Sequence, residues 1–112
     1  MRMWVEELSG GVTKVALEGD LDAKGSAEID VSFAAVTSAR DKVVVDMAGV
    51  GFLASIGIRT LLSAAKTVSR RGGRMALLSP NSDVLKVLET SGVAQVMGIQ
   101  ADLDGALAAL SS

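Results

Sequence analysis

"VVVDMAGVGFLASIGIRTLLSAAK", residues Val43 to Lys66, is the stretch on which the fold turns. Three consecutive valines followed by Asp46-Met47 have the composition of a buried central strand, which reads as continuously apolar rather than alternating. Further on, Ile58, Leu61, Leu62, Ala65 and Val68 recur at the spacing of one helix face. Between strand and helix lies a glycine-rich bend that carries Phe52, Leu53 and Ile56 with a single hydroxyl, Ser55. Connecting segments run over the surface and are ordinarily polar. Leaving these side chains in water forfeits about 25 cal/mol per Å² of apolar area. Some of them must therefore tuck beneath the sheet edge, with Phe52 and Leu53 the expected core residues. Apolar surface that stays exposed marks a docking patch, for which Val50, Ile56 and Arg59 are the candidates.

Working outward from this unit, "MWVEEL" and "VTKVALEG" flank Ser9-Gly10-Gly11, a hairpin signal with Val5, Val12 or Val15, and Leu17 facing inward. Ser26 can cap a helix whose inner face carries Ile29, Phe33 and Val36, and Arg40 near its end suits the helix dipole. The helix that opens near Ser55 stops at Arg70-Arg71 and Gly72-Gly73. "RMALLS" then reads as a strand. Asn81 or Ser82 caps the next helix, with Val84, Leu85, Val87 and Leu88 inward and Gly92 closing it. "AQVMGI" reads as a last short strand, and Asp102 caps a terminal helix bearing Leu103, Ala106, Leu107 and Leu110. Strands separated by helices run parallel. The expectation is an α/β sandwich: a mixed, mostly parallel sheet of four to five strands, an N-terminal hairpin and about four helices, forming one domain over residues 1–112.

Composition removes whole classes of chemistry. The chain of 112 residues is 49% hydrophobic but only 3% aromatic, so its core is built from Val, Leu, Ile, Met and Ala. It has no Cys and no His, which takes away thiolate nucleophiles, Ser-His-Asp catalysis and most zinc sites. No metal or cofactor is expected, and no enzymatic activity. "MRMWVEELSGG" lacks the apolar core of a signal peptide, and no apolar run approaches the roughly 20 residues that cross a bilayer. A cytoplasmic protein without membrane insertion is the expectation. The net charge of −2, with a lone basic cluster at Arg70-Arg71 and Arg74 and no aromatic beside it, argues against nucleic acid.

Strand ends are where α/β sheets place ligands and partners. Asp20, Asp22 and Asp46 fall there, but their order does not match a magnesium-holding phospho-receiver, which needs its acidic pair after the first strand. Asp20 and Asp46 are better read as supports for turns. "GVGFLASIG" lacks the Lys of a phosphate loop, and no acid stands about 20 residues on to hold a ribose. Ser55 differs. At a helix start it is an ordinary N-cap, worth about 1 kcal/mol. The same place also tolerates a phosphate, because first-turn N–H groups and the dipole favour negative charge. Phosphorylation would place about −1.5 to −2 charges in the middle of an apolar patch.

Three stretches together carry a resemblance: "GDLDAKGSAEI" (Gly19 to Ile29), "VVVDMAGVGFLASIGIRTLL" (from Val43) and "GGRMALLSPNSDVLKVLETSGVAQVM" (from Gly72). From about Val12 to Leu110 the chain resembles the STAS domain of bacterial anti-sigma factor antagonists. Gly19-Asp20-Leu21-Asp22 matches the family's G-[ED]-L-D, and Val84, Leu88, Ser91, Gly92 and Val93 fit its V-x-x-x-L-x-x-[ST]-G-[LV] helix.

In that family the first Ser of a D-S-S-G turn is phosphorylated by a serine-kinase anti-sigma factor. The unphosphorylated form binds that kinase and frees the sigma factor. The resemblance implies that Ser55 is this serine and that Asp22 lies on the flanking loop. Together with the candidates read from the bend itself, the expected partner-binding surface is Asp22, Val50, Ala54, Ser55, Ile56, Gly57 and Arg59. The partner would be an anti-sigma factor kinase, with a phosphatase as a further candidate, and the protein a monomer or weak dimer. Two departures stand out: Ala54 replaces the family's Asp, and Ile56 its second Ser. The missing Asp favours the alternative of a STAS scaffold without phosphorylation, or a small subunit of a lipid-trafficking transporter complex.

Overall fold

The computed structural model describes residues 1–111. A hairpin opens the chain: β1 (Arg2–Leu8) turns through Ser9–Gly11 into β2 (Val12–Leu21). There follow α1 (Ala23–Ala39), β3 (Lys42–Leu53), α2 (Ser55–Arg70), β4 (Arg74–Leu78) and α3 (Ser82–Thr90). A single turn, α4 (Val93–Val96), leads to β5 (Gly98–Gln100) and α5 (Leu103–Ser111). The five strands lie side by side in chain order; β1 and β2 are antiparallel and every later pair is parallel. This is the mixed α/β sheet that the residue pattern predicts.

Successive crossovers of one hand, each moving to the next strand, deposit their helices on the same face of the sheet. Accordingly α1 to α4 bury one face, where Val15, Leu17, Val43, Val45, Met47 and Leu77 meet Ile29, Phe33, Leu61, Val68, Val84, Leu88 and Val93. Only α5 covers the other face, packing Ala106 and Leu110 on Val12, Val44, Ala76 and Leu78. The valine run alternates between these two layers, which is why all three of its valines are fully buried. The α-amino group of Met1 donates to Glu28 Oε1 at 2.6 Å and so holds that carboxyl below the usual carboxylate range.

Several local expectations are corrected. Helix α1 starts three residues before Ser26: Asp22 is its N-cap and its carboxylate accepts from Gly25 N–H at 2.8 Å. The Ser26 hydroxyl is instead buried without a hydrogen-bond partner among the described residues. Arg40 lies just beyond the helix and pairs with Glu7 at 3.2 Å. Val5 is 45% exposed, because β1 is an edge strand and its outer flank meets no neighbour. "AQVMGI" is not one strand. Its first three residues belong to the α4 turn and only Gly98 and Ile99 join β5, which starts four residues later than expected and runs on to Gln100. The caps at Asn81 and Asp102 are found, each accepting a first-turn N–H at 2.8 Å.

Candidate functional site

The stretch from Gly49 to Leu53 is strand rather than bend. Strand β3 continues to Leu53 beside β2, and twice along the way it takes one residue more than its neighbour. Ala16 faces Asp46 while Glu18 faces Gly49; Gly19 faces Val50 while Asp20 faces Phe52. Each extra residue is a β-bulge, which bends the strand and changes which side chains point inward. At the first bulge the backbones close in so far that a Cβ on Gly49 would sit 2.8 Å from the Leu17 carbonyl oxygen. The Asp46 carboxylate supports this bulge by accepting from Ala48 N–H at 3.0 Å, and it pairs with Lys14 at 3.6 Å.

The bulges overturn two expectations. Val50, expected on the docking surface, is 0% exposed and belongs to the core. Phe52, expected in the core, is 55% exposed. An uninterrupted strand buries alternate residues, whereas from Met47 onward burial recurs every third residue, at Val50 and Leu53. Two positions therefore exchange roles. The Val50 carbonyl is held by Asn81, whose Nδ2 donates to it at 3.1 Å while its Oδ1 caps α3. Residue reasoning gave Asn81 only the capping role.

Beyond Leu53 the chain passes straight into α2. Ala54 occupies the N-cap position with extended backbone, and no side chain caps this helix. Ser55 is the first helical residue, one position later than a capping serine would stand. The junction falls at Ala54 because its N–H is committed to the Leu21 carbonyl oxygen at 3.1 Å, while its own carbonyl accepts the first helical bond from Ile58 at 3.0 Å. The first-turn N–H groups thus have no side-chain acceptor among the described residues. The Ser55 hydroxyl is exposed beside them.

Around Ser55 stand exposed Phe52, Ile56 at 36% exposure, and Arg59 one turn along α2. Arg59 makes no ion pair among the described residues. Gly57 is buried where α2 touches β2, and a Cβ there would overlap the Leu21 carbonyl oxygen. Asp22, half-buried, follows Leu21 directly, so the two strand ends place its loop next to Ala54. A groove of about 250 Å³ between α1 and α2 adjoins this patch, with Asp30 and Phe33 on one wall and Ile56 and Arg59 on the other. Of the expected surface residues, the fold gathers Asp22, Ala54, Ser55, Ile56 and Arg59 at one pole, while Val50 and Gly57 are buried, Gly57 because α2 packs directly on the Leu21 carbonyl. The fold adds Phe52, whose exposure the glycines at 49 and 51 could have signalled as bulge markers within a strand.

Among the described residues no group of three or more acidic side chains is gathered as a metal site would need. Nor does any helix among them have the length and apolarity to cross a membrane. The pole is an exposed apolar patch, Phe52 and Ile56, with the serine Ser55 at a helix start.

With that geometry, the chain belongs to the STAS domain family, whose model matches residues 4–106. It is 29% identical to the anti-sigma F factor antagonist of Paenibacillus polymyxa over 91 residues, 80% of this chain and 78% of that one. The crystal structure of an anti-sigma factor antagonist from Mycobacterium paratuberculosis superposes with a TM-score of 0.89 at 21% identity, covering 99% of this chain and 94% of the other. The Bacillus cell fate determinant SpoIIAA in its phosphorylated form superposes with a TM-score of 0.72 at 21% identity, over 96% and 97% of the two chains.

Proposed function

We propose that this protein is an anti-sigma factor antagonist: it docks on a serine-kinase anti-sigma factor through the pole around Ser55, and phosphorylation of Ser55 releases it. The observation that carries this reading is the exposed Ser55 hydroxyl at the uncapped start of α2, between exposed Phe52 and Ile56. A kinase can reach the oxygen. The uncapped N–H groups accommodate the resulting phosphate, while its charge of about −1.5 to −2 makes the apolar patch costly to bury against a partner. Phe52 and Ile56 supply the apolar contact; Asp22 and Arg59 flank it with one charge of each sign. Asp22 also caps α1, and Gly57 serves by setting the position of α2.

The experiment is incubation with the serine-kinase anti-sigma factor from the same organism and ATP, followed by mass spectrometry and a binding titration. The expected result is a single phosphate that Ser55→Ala abolishes, together with a Ser55→Asp variant that binds the kinase much more weakly than the parent. A phosphate on another residue, or undiminished binding by Ser55→Asp, overturns the switch. A second reading rests on Ala54 and Ile56, where the family's Asp and second Ser are missing. It makes the same pole a constitutive docking surface of a STAS scaffold or transporter-associated subunit. Partner capture that is indifferent to ATP and to Ser55→Asp favours that reading.

A further inference from the structure

The end of the molecule opposite Ser55 holds a second concave site. Where β4 and β5 begin and α2 and α5 end, a cavity of about 650 Å³ opens to the surface. Helix α2 joins the two poles: its 16 residues run from Ser55 to Arg70, roughly 24 Å at about 1.5 Å per residue. Three cations line the cavity, Lys66 and Arg70 from α2 and Arg74 from β4. None of them makes an ion pair among the described residues, and no Asp or Glu lines the cavity. Neighbouring Arg71, which points elsewhere, does have a partner, Asp41 at 3.2 Å. The rest of the lining mixes Ser69 and glycines with an apolar part, where Met97 and Leu110 are buried beneath and Val96 is 60% exposed.

We propose that this cavity binds a small amphipathic organic anion, with its charged head among Lys66, Arg70 and Arg74 and its apolar part against Val96, Met97 and Leu110. Three positive charges gathered on one rim repel one another, and a bound anion relieves that repulsion. Two of the three are guanidinium groups, whose forked donors suit a carboxylate, sulfonate or phosphate. A purely solvated helix end explains the cations but neither the concavity nor the exposed valine facing them. The volume lies within the range of about 300–1,000 Å³ typical of small-molecule sites.

The probe is anilinonaphthalene sulfonate, an aromatic body with one anionic head, titrated by fluorescence into the folded protein. Saturable one-site binding is expected, weakened about tenfold or more in the Arg70→Gln/Arg74→Gln double variant and unchanged in Ser55→Ala. Octanoate should displace the probe, while neither octanol nor sulfate does so at equal concentration, because each offers only half of the recognition. Amide chemical shifts of the parent protein should move with octanoate at residues 69–76 and 96–98, a measurement that does not rely on the variants folding. Binding unaffected by the double variant, displacement by octanol as effective as by octanoate, or shifts centred elsewhere would each overturn the site. So would the absence of any binding up to about 1 mM.

Discussion

The backbone N–H of Ala54 donates to the carbonyl oxygen of Leu21 at 3.1 Å, joining the end of β2 to the start of α2. The same carbonyl is the surface on which Gly57 rests, with no space for a Cβ. One peptide group therefore fixes both the last strand residue and the first helical turn. Gly57→Ala should destabilise the protein by about 1–3 kcal/mol, as overpacking does. In an unhindered helix interior the same change would stabilise by about 1 kcal/mol, so the sign of the effect in urea unfolding decides whether the contact sets the α2 position.

The N-cap of α2 gives up stability that the fold could have. Ala54 has the extended backbone of a cap and no acceptor on its side chain. Ala54→Asp should gain about 1 kcal/mol from capping and from the favourable end of the helix dipole. By contrast, Asp22→Ala should cost about the same, because that carboxylate does hold Gly25 N–H at the start of α1. Chemical denaturation of the two variants against the parent checks both signs. If the gain at residue 54 also raises the rate of phosphate transfer to Ser55, the acid helps to present the hydroxyl as well as to cap the helix.

Asn81 ties α3 to the second bulge with its two ends, accepting from Val84 N–H and donating to the Val50 carbonyl. Asn81→Asp keeps the acceptor and loses the donor, while Asn81→Ala loses both. The expected order of stability is parent, then Asp, then Ala. Loss of the cap costs about 1 kcal/mol, and the buried carbonyl left unpaired costs about 1–3 kcal/mol more. Equal stability of the Asp variant and the parent would mean that water replaces the amide at Val50.

Much of this arrangement is legible in the residues, and the limits have a physical cause. The valine run and the helical spacing from Ile58 to Val68 report burial, which periodicity encodes directly. The caps at Asn81 and Asp102 are legible because a short polar side chain before an apolar run has few other uses. What periodicity cannot show is a change of register. Gly49 and Gly51 read as a bend, yet they are strand residues at bulges set by the neighbouring strand, and only the pairing with β2 shows which of Val50 and Phe52 faces inward. Ser26 and Asp22 illustrate the same limit: both are good caps, and the choice between them is made by where β2 ends.

The exchange of roles at the second bulge supplies the sharpest separation of folding from binding. Phe52 and Leu53 are adjacent, similar in size and opposite in exposure. Leu53→Ala removes a core side chain and should cost about 2–5 kcal/mol of stability. Phe52→Ala removes a side chain that is mostly in water, so its effect on unfolding should stay near 0.5 kcal/mol or below, about the range of surface changes. A hot-spot aromatic lost from an interface weakens binding by about 2 kcal/mol or more. Phe52→Ala should therefore leave the unfolding midpoint nearly in place while reducing affinity for the kinase about thirtyfold. Ser55→Ala belongs beside it: its hydroxyl makes no hydrogen bond within the described residues, so it should alter neither stability nor unphosphorylated binding. If Phe52→Ala instead unfolds the protein and leaves affinity untouched, the patch is part of the core and the docking surface lies elsewhere.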